Sequence, residues 1–224
     1  MSVSGDLQAV LFDSGGVLMQ PRGGRWNPRA DFEEVVARYA PSTTPGQFAM
    51  AIAAGEEFLA ASDATPPYED YLRVVLGSIG LRPAPELLAD LQRPVEPAVF
   101  LETFPEVPET LAELARRGVR MAVVSDAWPE LPALHEGLGI GGFFEAYAIS
   151  AEVGACKPDA RMYRHASDAL GLPPSRCLFV DDKAGLVAAA IKLGYAGRVI
   201  ERGGRPTEGQ VPAIQSLTEL LDLF

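Results

Sequence analysis

The chain has little cysteine, little histidine and comparatively little positive charge. It contains 2 cysteines, 2 histidines and 19 lysines and arginines against 30 aspartates and glutamates, so its formal net charge is -11. Two thiols in 224 residues are too few for a disulfide framework. No basic cluster is long enough to follow a phosphate backbone. We therefore expect no nucleic-acid partner.

Long apolar runs are also missing. No window approaches the roughly eighteen uninterrupted apolar residues that a membrane helix needs. Met1 to Asp6 lack a basic segment followed by an apolar stretch. The 48% of hydrophobic and 22% of charged residues are typical of a globular chain that buries a substantial core. We expect a cytoplasmic protein with no membrane partner.

Three short apolar runs do stand out, and each ends abruptly at a polar residue. The runs are residues 9–12, 121–124 and 177–180, and the polar residues that follow them are Asp13, Ser125, and the pair Asp181 and Asp182. Continuous rather than alternating hydrophobicity is typical of strands buried on both faces of a parallel sheet. Because ligands gather at the carboxyl ends of such strands, these polar side chains are expected to converge.

Helical periodicity is found before the second run, after the second and third runs, and at the end of the chain. The predicted helices are residues 106–117, 158–170, 183–193 and 214–224. Strands that alternate with amphipathic helices predict an α/β fold, a doubly wound parallel sheet of the Rossmann-like kind.

The stretch between the first strand and Glu106 has no strand candidate and is predicted to be helical. Its helices are residues 29–39, 46–61, 68–76 and 85–91. An insertion of this length is too long for a loop, so it predicts an α-helical bundle that caps the site. The predicted division is a core of residues 1–20 and 98–224 and a cap of residues 21–97, with hinges near residues 19–25 and 94–105.

Four segments in order resemble the motifs of the haloacid dehalogenase-like hydrolase superfamily. They are residues 12–18 (FDSGGVL), 123–126 (VVSD), 154–159 (GACKPD) and 179–182 (FVDD). Each is weak alone, because a strand that ends in Asp or Ser is common. Their order, with a helical insertion after the first, makes the resemblance specific, and it covers the whole chain.

This resemblance implies roles for the polar residues. Asp13 would be the nucleophile that accepts a phosphoryl group as an aspartyl-phosphate, which water then hydrolyses. Ser125, Asp126 and Lys157 would form the phosphate site, where Lys157 offsets negative charge. Asp13 and Asp181 at strand ends have an alternative role as turn or helix caps, Ser125 as a turn residue and Lys157 as a solvated loop residue. A structural role is also open for Asp126.

The resemblance also implies a Mg²⁺ site. Asp13, the backbone carbonyl of Gly15, Asp181 and Asp182 would supply hard oxygen ligands. Three carboxylates without a partner repel one another, so a divalent cation is their natural electrostatic partner. Which of Asp181 and Asp182 ligates directly is left open.

Four further residues are candidates for contact with a small phosphorylated substrate. They are Arg22, Arg25, Trp26 and Trp128. Exposed solubilising charge is the alternative role for the arginines, and packing is the alternative for the tryptophans. The identity of the substrate and the oligomeric state are left open.

Two positions depart from the superfamily pattern, and three functions compete. Gly15 stands where most related phosphatases have a second Asp that serves as general acid and base, and Leu186 stands where relatives often have Asp or Asn.

The first hypothesis is a Mg²⁺-dependent phosphomonoesterase with weak acid and base assistance. The second is a 2-haloacid dehalogenase, whose halide leaves without a proton, although a metal-free site has little use for Asp181 beside Asp182. The third is a non-catalytic binding protein that keeps the fold.

Overall fold

The computed structural model describes residues 7–24, 26, 29–203 and 211–224. Its strands are β1 Ala9–Phe12, β2 Met19–Pro21, β3 Leu101–Thr103, β4 Arg120–Ser125, β5 Ala146–Ile149, β6 Cys177–Asp181, β7 Ala196–Ile200 and β8 Ala213–Ile214. Its α-helices are α1 Phe32–Tyr39, α2 Pro45–Ala60, α3 Tyr68–Ser78, α4 Pro85–Leu91, α5 Pro97–Phe100, α6 Val107–Arg116, α7 Leu131–Gly137, α8 Ser150–Val153, α9 Ala160–Ala169 and α10 Ala184–Lys192. Segments of 3-10 helix lie at Gly141–Phe143, Pro174–Arg176 and Leu217–Asp222.

Six strands form one parallel sheet in the order β5-β4-β1-β6-β7-β8. Phe12 of β1 is aligned with Val123 of β4 on one side and with Val180 of β6 on the other. The chain therefore builds the sheet outward from β1 in both directions. This arrangement confirms the predicted doubly wound parallel sheet and places the ends of β1, β4 and β6 side by side.

Helices cover both faces of this sheet. Val10 and Phe12 pack in a layer with Leu111 of α6, whereas Ala9 and Leu11 pack in the opposite layer with Tyr163 of α9. All four residues of β1 are fully buried. The continuous apolar run that predicted this strand therefore has its physical cause in two covered faces.

Helices α1 to α4 form a third apolar cluster of their own. Their buried side chains include Phe32, Val36, Leu72, Leu76 and Leu88. Helix α2 begins after Thr44, whose side chain and that of Gln47 form a reciprocal capping box. The helical nature of the insertion is thus confirmed, while its division from the core at residues 20/21 and 97/98 remains a prediction.

The expectation that no strand lies between β1 and Glu106 is wrong. Met19 pairs with Thr103 and Pro21 with Leu101 in the antiparallel ribbon of β2 and β3. Each strand has only three residues, so neither presents a pattern that single-sequence reasoning could detect. The pairing joins the two ends of the helical insertion, within both of the predicted hinge segments.

The predicted last helix, residues 214–224, is correct only in its middle, which is a 3-10 helix rather than an α-helix. Ile214 belongs to β8 and is aligned with Ile200 of β7, and a 3-10 helix follows at Leu217–Asp222. Ser216 and Glu219 form a capping box that starts this helix two residues after the strand. Strand β7 was not predicted, because it contains Gly197 and Arg198 and so lacks a continuous apolar run. Strand β5 was also missed, although its four residues are apolar or aromatic. None of the helices in the described residues combines the length and the apolar composition of a membrane span.

Candidate active site

Three carboxylates meet where β1 and β6 end. Asp13 directly follows β1, Asp181 is the last residue of β6, and Asp182 comes next. The Asp13 amide donates a hydrogen bond of 2.9 Å to the carbonyl of Val180, which holds the two strand ends together. One oxygen atom from each of the three carboxylates lies within 4.8 Å of the others. The parallel pairing therefore brings these distant residues to one place.

Lys157 reaches this cluster from the loop between α8 and α9. Its Nζ donates hydrogen bonds of 2.6 Å to Asp13 Oδ1 and 2.8 Å to Asp181 Oδ2. Only 3% of its side chain is exposed. Burial by itself lowers the pKa of Lys157, but the charges of Asp13 and Asp181 outweigh burial and raise the pKa overall. Lys157 is therefore a permanent positive charge between two carboxylates.

Asp126 holds the loop that carries this lysine. Its Oδ1 accepts a hydrogen bond of 2.9 Å from the backbone amide of Lys157. Burial raises the pKa of the Asp126 carboxyl, and the positive charge of Lys157 opposes that rise. Ser125, the last residue of β4, is buried at the same edge of the sheet. The contact of Asp126 is structural, and the phosphate-binding roles of Ser125 and Asp126 remain predictions.

One lysine does not neutralise three carboxylates. Asp181 is fully buried, and its desolvation raises its pKa to about 7. The negative charge of Asp13 is the second cause of this rise, whereas Lys157 and the backbone amide of Lys183 oppose it. Carboxylate oxygens are the donors that Mg²⁺ prefers. The observed cluster of oxygens from Asp13, Asp181 and Asp182 therefore fits a divalent cation in both donor chemistry and charge.

The turn after Asp13 approaches this cluster closely through Gly16. Gly16 has a φ of 79°, and a Cβ atom there would lie 2.5 Å from Asp182 Oδ2. Only glycine meets both the left-handed backbone and the short approach without displacing the carboxylate. The preceding residue, Gly15, has the backbone carbonyl that is predicted to ligate the metal.

The indole ring of Trp26 lies against Gly15. A Cβ atom on Gly15 would come within 3.2 Å of Trp26 Cζ2 and 3.5 Å of Cη2. Trp26 is 44% exposed, so its ring is both a neighbour of the Asp13 turn and part of the surface. The structure thus places this predicted substrate residue beside the position where related phosphatases have a second Asp.

The other predicted substrate residues lie in different surroundings. Arg22 has a half-exposed side chain that pairs with Glu102 at 3.2 Å and donates to the carbonyl of Ala98. Trp128 donates from its indole nitrogen to the carbonyl of Pro66 at 2.8 Å. Arg25 lies outside the described residues. For these residues contact with a substrate remains a prediction.

The loop between α2 and α3 touches two of the loops that form the site. The carbonyl of Asp63 accepts a hydrogen bond of 2.8 Å from the amide of Cys156, next to Lys157. Trp128 bonds to Pro66 and packs edge to face with Tyr68, the first residue of α3. The helical insertion is therefore in direct contact with the segments after β4 and before α9.

Two contacts with the Asp13 turn escaped the sequence reasoning. The imidazole of His135 is hydrogen-bonded to the hydroxyl of Ser14, and the guanidinium of Arg202 donates to the carbonyls of Gly16 and Val17. Arg202 follows β7 closely, so recognition of that strand would have drawn attention to it. No local pattern marks His135, because its partner is 121 positions away.

Leu186 is only partly buried and packs against the apolar layer under α9 and α10.

Comparison with known proteins points to one family with two kinds of activity. A family model described as haloacid dehalogenase-like hydrolase matches residues 7–194. The chain is 32% identical to the (S)-2-haloacid dehalogenase of Pseudomonas sp. strain YL over 130 residues, which are 54% of this chain and 56% of that protein. It is 29% identical to the phosphoserine phosphatase of Thermus thermophilus over 206 residues, which are 89% of this chain and 76% of that protein. The match to the dehalogenase thus spans little more than half of its length.

A solved structure extends the likeness over the whole fold. The L-2-haloacid dehalogenase of Xanthobacter autotrophicus, solved with chloropropionic acid covalently bound, superposes with a TM-score of 0.71. The alignment covers 97% of this chain and 98% of that one at 21% identity. At that identity the likeness shows a common fold and leaves the substrate class open between the two activities.

Proposed function

We propose, from the premise that this chain belongs to the haloacid dehalogenase-like hydrolases, that it is a Mg²⁺-dependent phosphomonoesterase for a small phosphorylated molecule. The observation that carries the proposal is the cluster of Asp13, Asp181 and Asp182, in which one oxygen of each carboxylate lies within 4.8 Å of the others. Lys157 bonds Asp13 and Asp181 and so offsets only part of the negative charge of the cluster, and a divalent cation would offset the rest.

Asp13 is the proposed nucleophile. One of its carboxylate oxygens attacks phosphorus, the bond from phosphorus to the leaving oxygen breaks, and the electron pair departs on that oxygen. Water then attacks phosphorus, the bond to Asp13 breaks with its electrons returning to the carboxylate, and the water proton passes to solvent. A carboxylate is ionised at neutral pH, so no base is needed to activate it.

Lys157 would balance charge during this transfer. It already bonds Asp13 at 2.6 Å, so it also holds the direction of the nucleophilic carboxylate. Its charge is buried, and a buried charge acts more strongly on the transferring group than one in water. Asp13, the carbonyl of Gly15, Asp181 and Asp182 would hold Mg²⁺, which when bound supplies charge stabilisation to the phosphoryl oxygens.

A dehalogenase is the second candidate, and Gly15 is the observation that favours it. Halide leaves carbon without a proton, so a site with no acid at position 15 suits that reaction. In that case Asp13 attacks carbon, forms an ester, and releases halide with the bonding electron pair. Water then hydrolyses the ester at the carboxyl carbon and regenerates Asp13.

The two functions are separated by a metal-dependence assay. We expect release of para-nitrophenol from para-nitrophenyl phosphate in the presence of Mg²⁺ and its loss after chelation. Asp13→Asn should abolish turnover, since an amide oxygen is a poor nucleophile, with an unchanged circular dichroism spectrum. Chloride release from 2-chloropropionate that survives chelation would instead establish the dehalogenase. Retained phosphatase turnover in Asp13→Asn would contradict the assignment of the nucleophile.

A further inference from the structure

A buried polar chain runs from the Asp13 turn into the core. Ser14 Oγ and His135 Nε2 lie 2.8 Å apart, and His135 Nδ1 and the Tyr147 hydroxyl lie 3.2 Å apart. His135 is completely buried and Ser14 is 1% exposed. The imidazole packs against the rings of Phe144 and Tyr147, at centroid distances of 5.4 Å and 5.6 Å. This series of hydrogen-bonded side chains thus crosses an otherwise apolar layer.

Each side chain in this hydrogen-bonded series has a hydrogen-bond partner. A neutral imidazole has one donor nitrogen and one acceptor nitrogen, and the two hydroxyls can rotate to match either tautomer. Burial lowers the pKa of His135 to about 4, against a weaker opposing effect of the Asp13 charge, so the neutral form prevails near neutral pH. A fully satisfied buried network holds one geometry, whereas apolar packing alone tolerates several.

The network ends on the residue that organises the turn. The carbonyl of Ser14 accepts hydrogen bonds from the amides of Leu18 at 2.8 Å and Met19 at 3.1 Å. Ser14 itself lies between Asp13 and Gly15, so any rotation of its backbone reorients both neighbours. The side chain of Ser14 is bonded to His135, which lies in helix α7.

We propose that His135 is a positioning residue that acts through the Ser14 hydroxyl to set the direction of the Asp13 carboxylate and the Gly15 carbonyl. The inference rests on the proposed role of Asp13 as nucleophile, and it holds for phosphoryl transfer and for dehalogenation alike. His135 is not a proton donor in either reaction, because both of its ring nitrogens are occupied in the core.

The test compares two buried serines. Ser14→Ala removes the hydroxyl that His135 holds. Ser167→Ala is the matched control, because Ser167 is equally buried and its hydroxyl lies 2.9 Å from the Tyr195 hydroxyl, away from the turn. His135→Leu removes the polar partner, and His135→Gln supplies a side-chain amide that can still bond to Ser14.

Amide hydrogen exchange read by mass spectrometry is the first measurement, since it needs neither turnover nor metal. We expect Ser14→Ala and His135→Leu to speed exchange at Leu18 and Met19 by roughly tenfold or more, because a loosened turn opens more often. Ser167→Ala should leave these amides unchanged, and His135→Gln should restore part of the protection. Exchange of the turn that is the same in Ser14→Ala and Ser167→Ala would overturn the proposal.

Steady-state kinetics on whichever substrate the wild-type protein turns over is the second measurement. Misplacement of a nucleophile by about 1 Å costs on the order of a hundredfold, so Ser14→Ala should lower kcat tenfold to a hundredfold with KM nearly unchanged. Ser167→Ala should keep the wild-type kcat even with the same loss of thermal stability. Equal kcat values in the two variants would refute the positioning role. Absence of Mg²⁺-dependent phosphatase activity in the wild type would reject only the proposed function, because the exchange measurement decides the inference by itself.

Discussion

Aspartate at position 15 would place a carboxylic acid where the chain has only the backbone of Gly15, next to the indole ring of Trp26. Gly15 has no positive φ, so a side chain is compatible with its backbone. The obstacle is Trp26, whose Cζ2 would lie 3.2 Å from the new Cβ, a few tenths of an ångström closer than ordinary contact. The ring therefore has to move slightly before the carboxyl can point toward a leaving group.

Two contributions determine how much Gly15→Asp changes the rate: the gain from general acid catalysis and the cost of displacing the indole ring. General acid assistance is worth roughly 10² to 10⁴ in rate for a leaving group that needs a proton. A cost of about 1–3 kcal/mol for holding the indole aside in the reactive conformation would raise the barrier and cancel one to two powers of ten of that gain. We therefore expect Gly15→Asp to raise kcat/KM for an alkyl phosphate by about tenfold to a hundredfold. The double variant Gly15→Asp/Trp26→Ala should gain more, because the ring no longer resists the new side chain.

The assay compares ethyl phosphate with para-nitrophenyl phosphate, whose leaving group departs without a proton. Gly15→Asp should change kcat/KM for the aryl ester little. Gly15→Ala is the matched control, since it adds the same Cβ against Trp26 without a carboxyl, and it should not gain on either substrate. Equal gains of Gly15→Asp on both esters, or a gain in Gly15→Ala, would refute the reasoning about the leaving group.

Two further predictions concern residues around the Asp13 turn. Gly16→Ala should weaken Mg²⁺ binding at least tenfold by calorimetry, because its Cβ would lie 2.5 Å from Asp182 Oδ2 and would push that carboxylate aside; unchanged affinity would exclude Asp182 as a ligand. Burial lowers the pKa of His135 in the folded protein to about 4, against 6.5 for a free histidine side chain, so only the unfolded chain binds the proton between these pH values. Acidification from pH 7 toward 4 should therefore cost up to about 3 kcal/mol at this site. The stability advantage of wild type over His135→Gln in urea unfolding should shrink accordingly, and a constant difference would contradict a buried neutral imidazole.

Much of the fold was predictable because burial leaves a local signature. The residues of β1 are buried on both faces, so they had to be apolar in an unbroken run. Parallel strands that end beside one another then bring their following residues together, which is why Asp13 and Asp181 could be placed in one site before any coordinates. The lysine at 157 was named from its resemblance to a family motif, and the structure shows it bonded to both carboxylates.

Elements that depend on distant partners carried no such signature. Strands β2 and β3 have three residues each and exist because they pair across the whole helical insertion. Ile214 was expected in a helix, but its pairing with Ile200 at the sheet edge overrode that local pattern. In these cases the free energy comes from a non-local contact that no short window of sequence contains.

The sequence by itself determined which residues enter the core, which polar residues follow the strands, and hence where a carboxylate cluster forms. Only the tertiary structure decided what surrounds that cluster: the indole of Trp26 over Gly15, and the imidazole of His135 on Ser14 from 121 positions away. The physical reason is that hydrophobic periodicity is a property of neighbouring residues, whereas close approach and hydrogen bonding between distant residues exist only once the sheet has assembled.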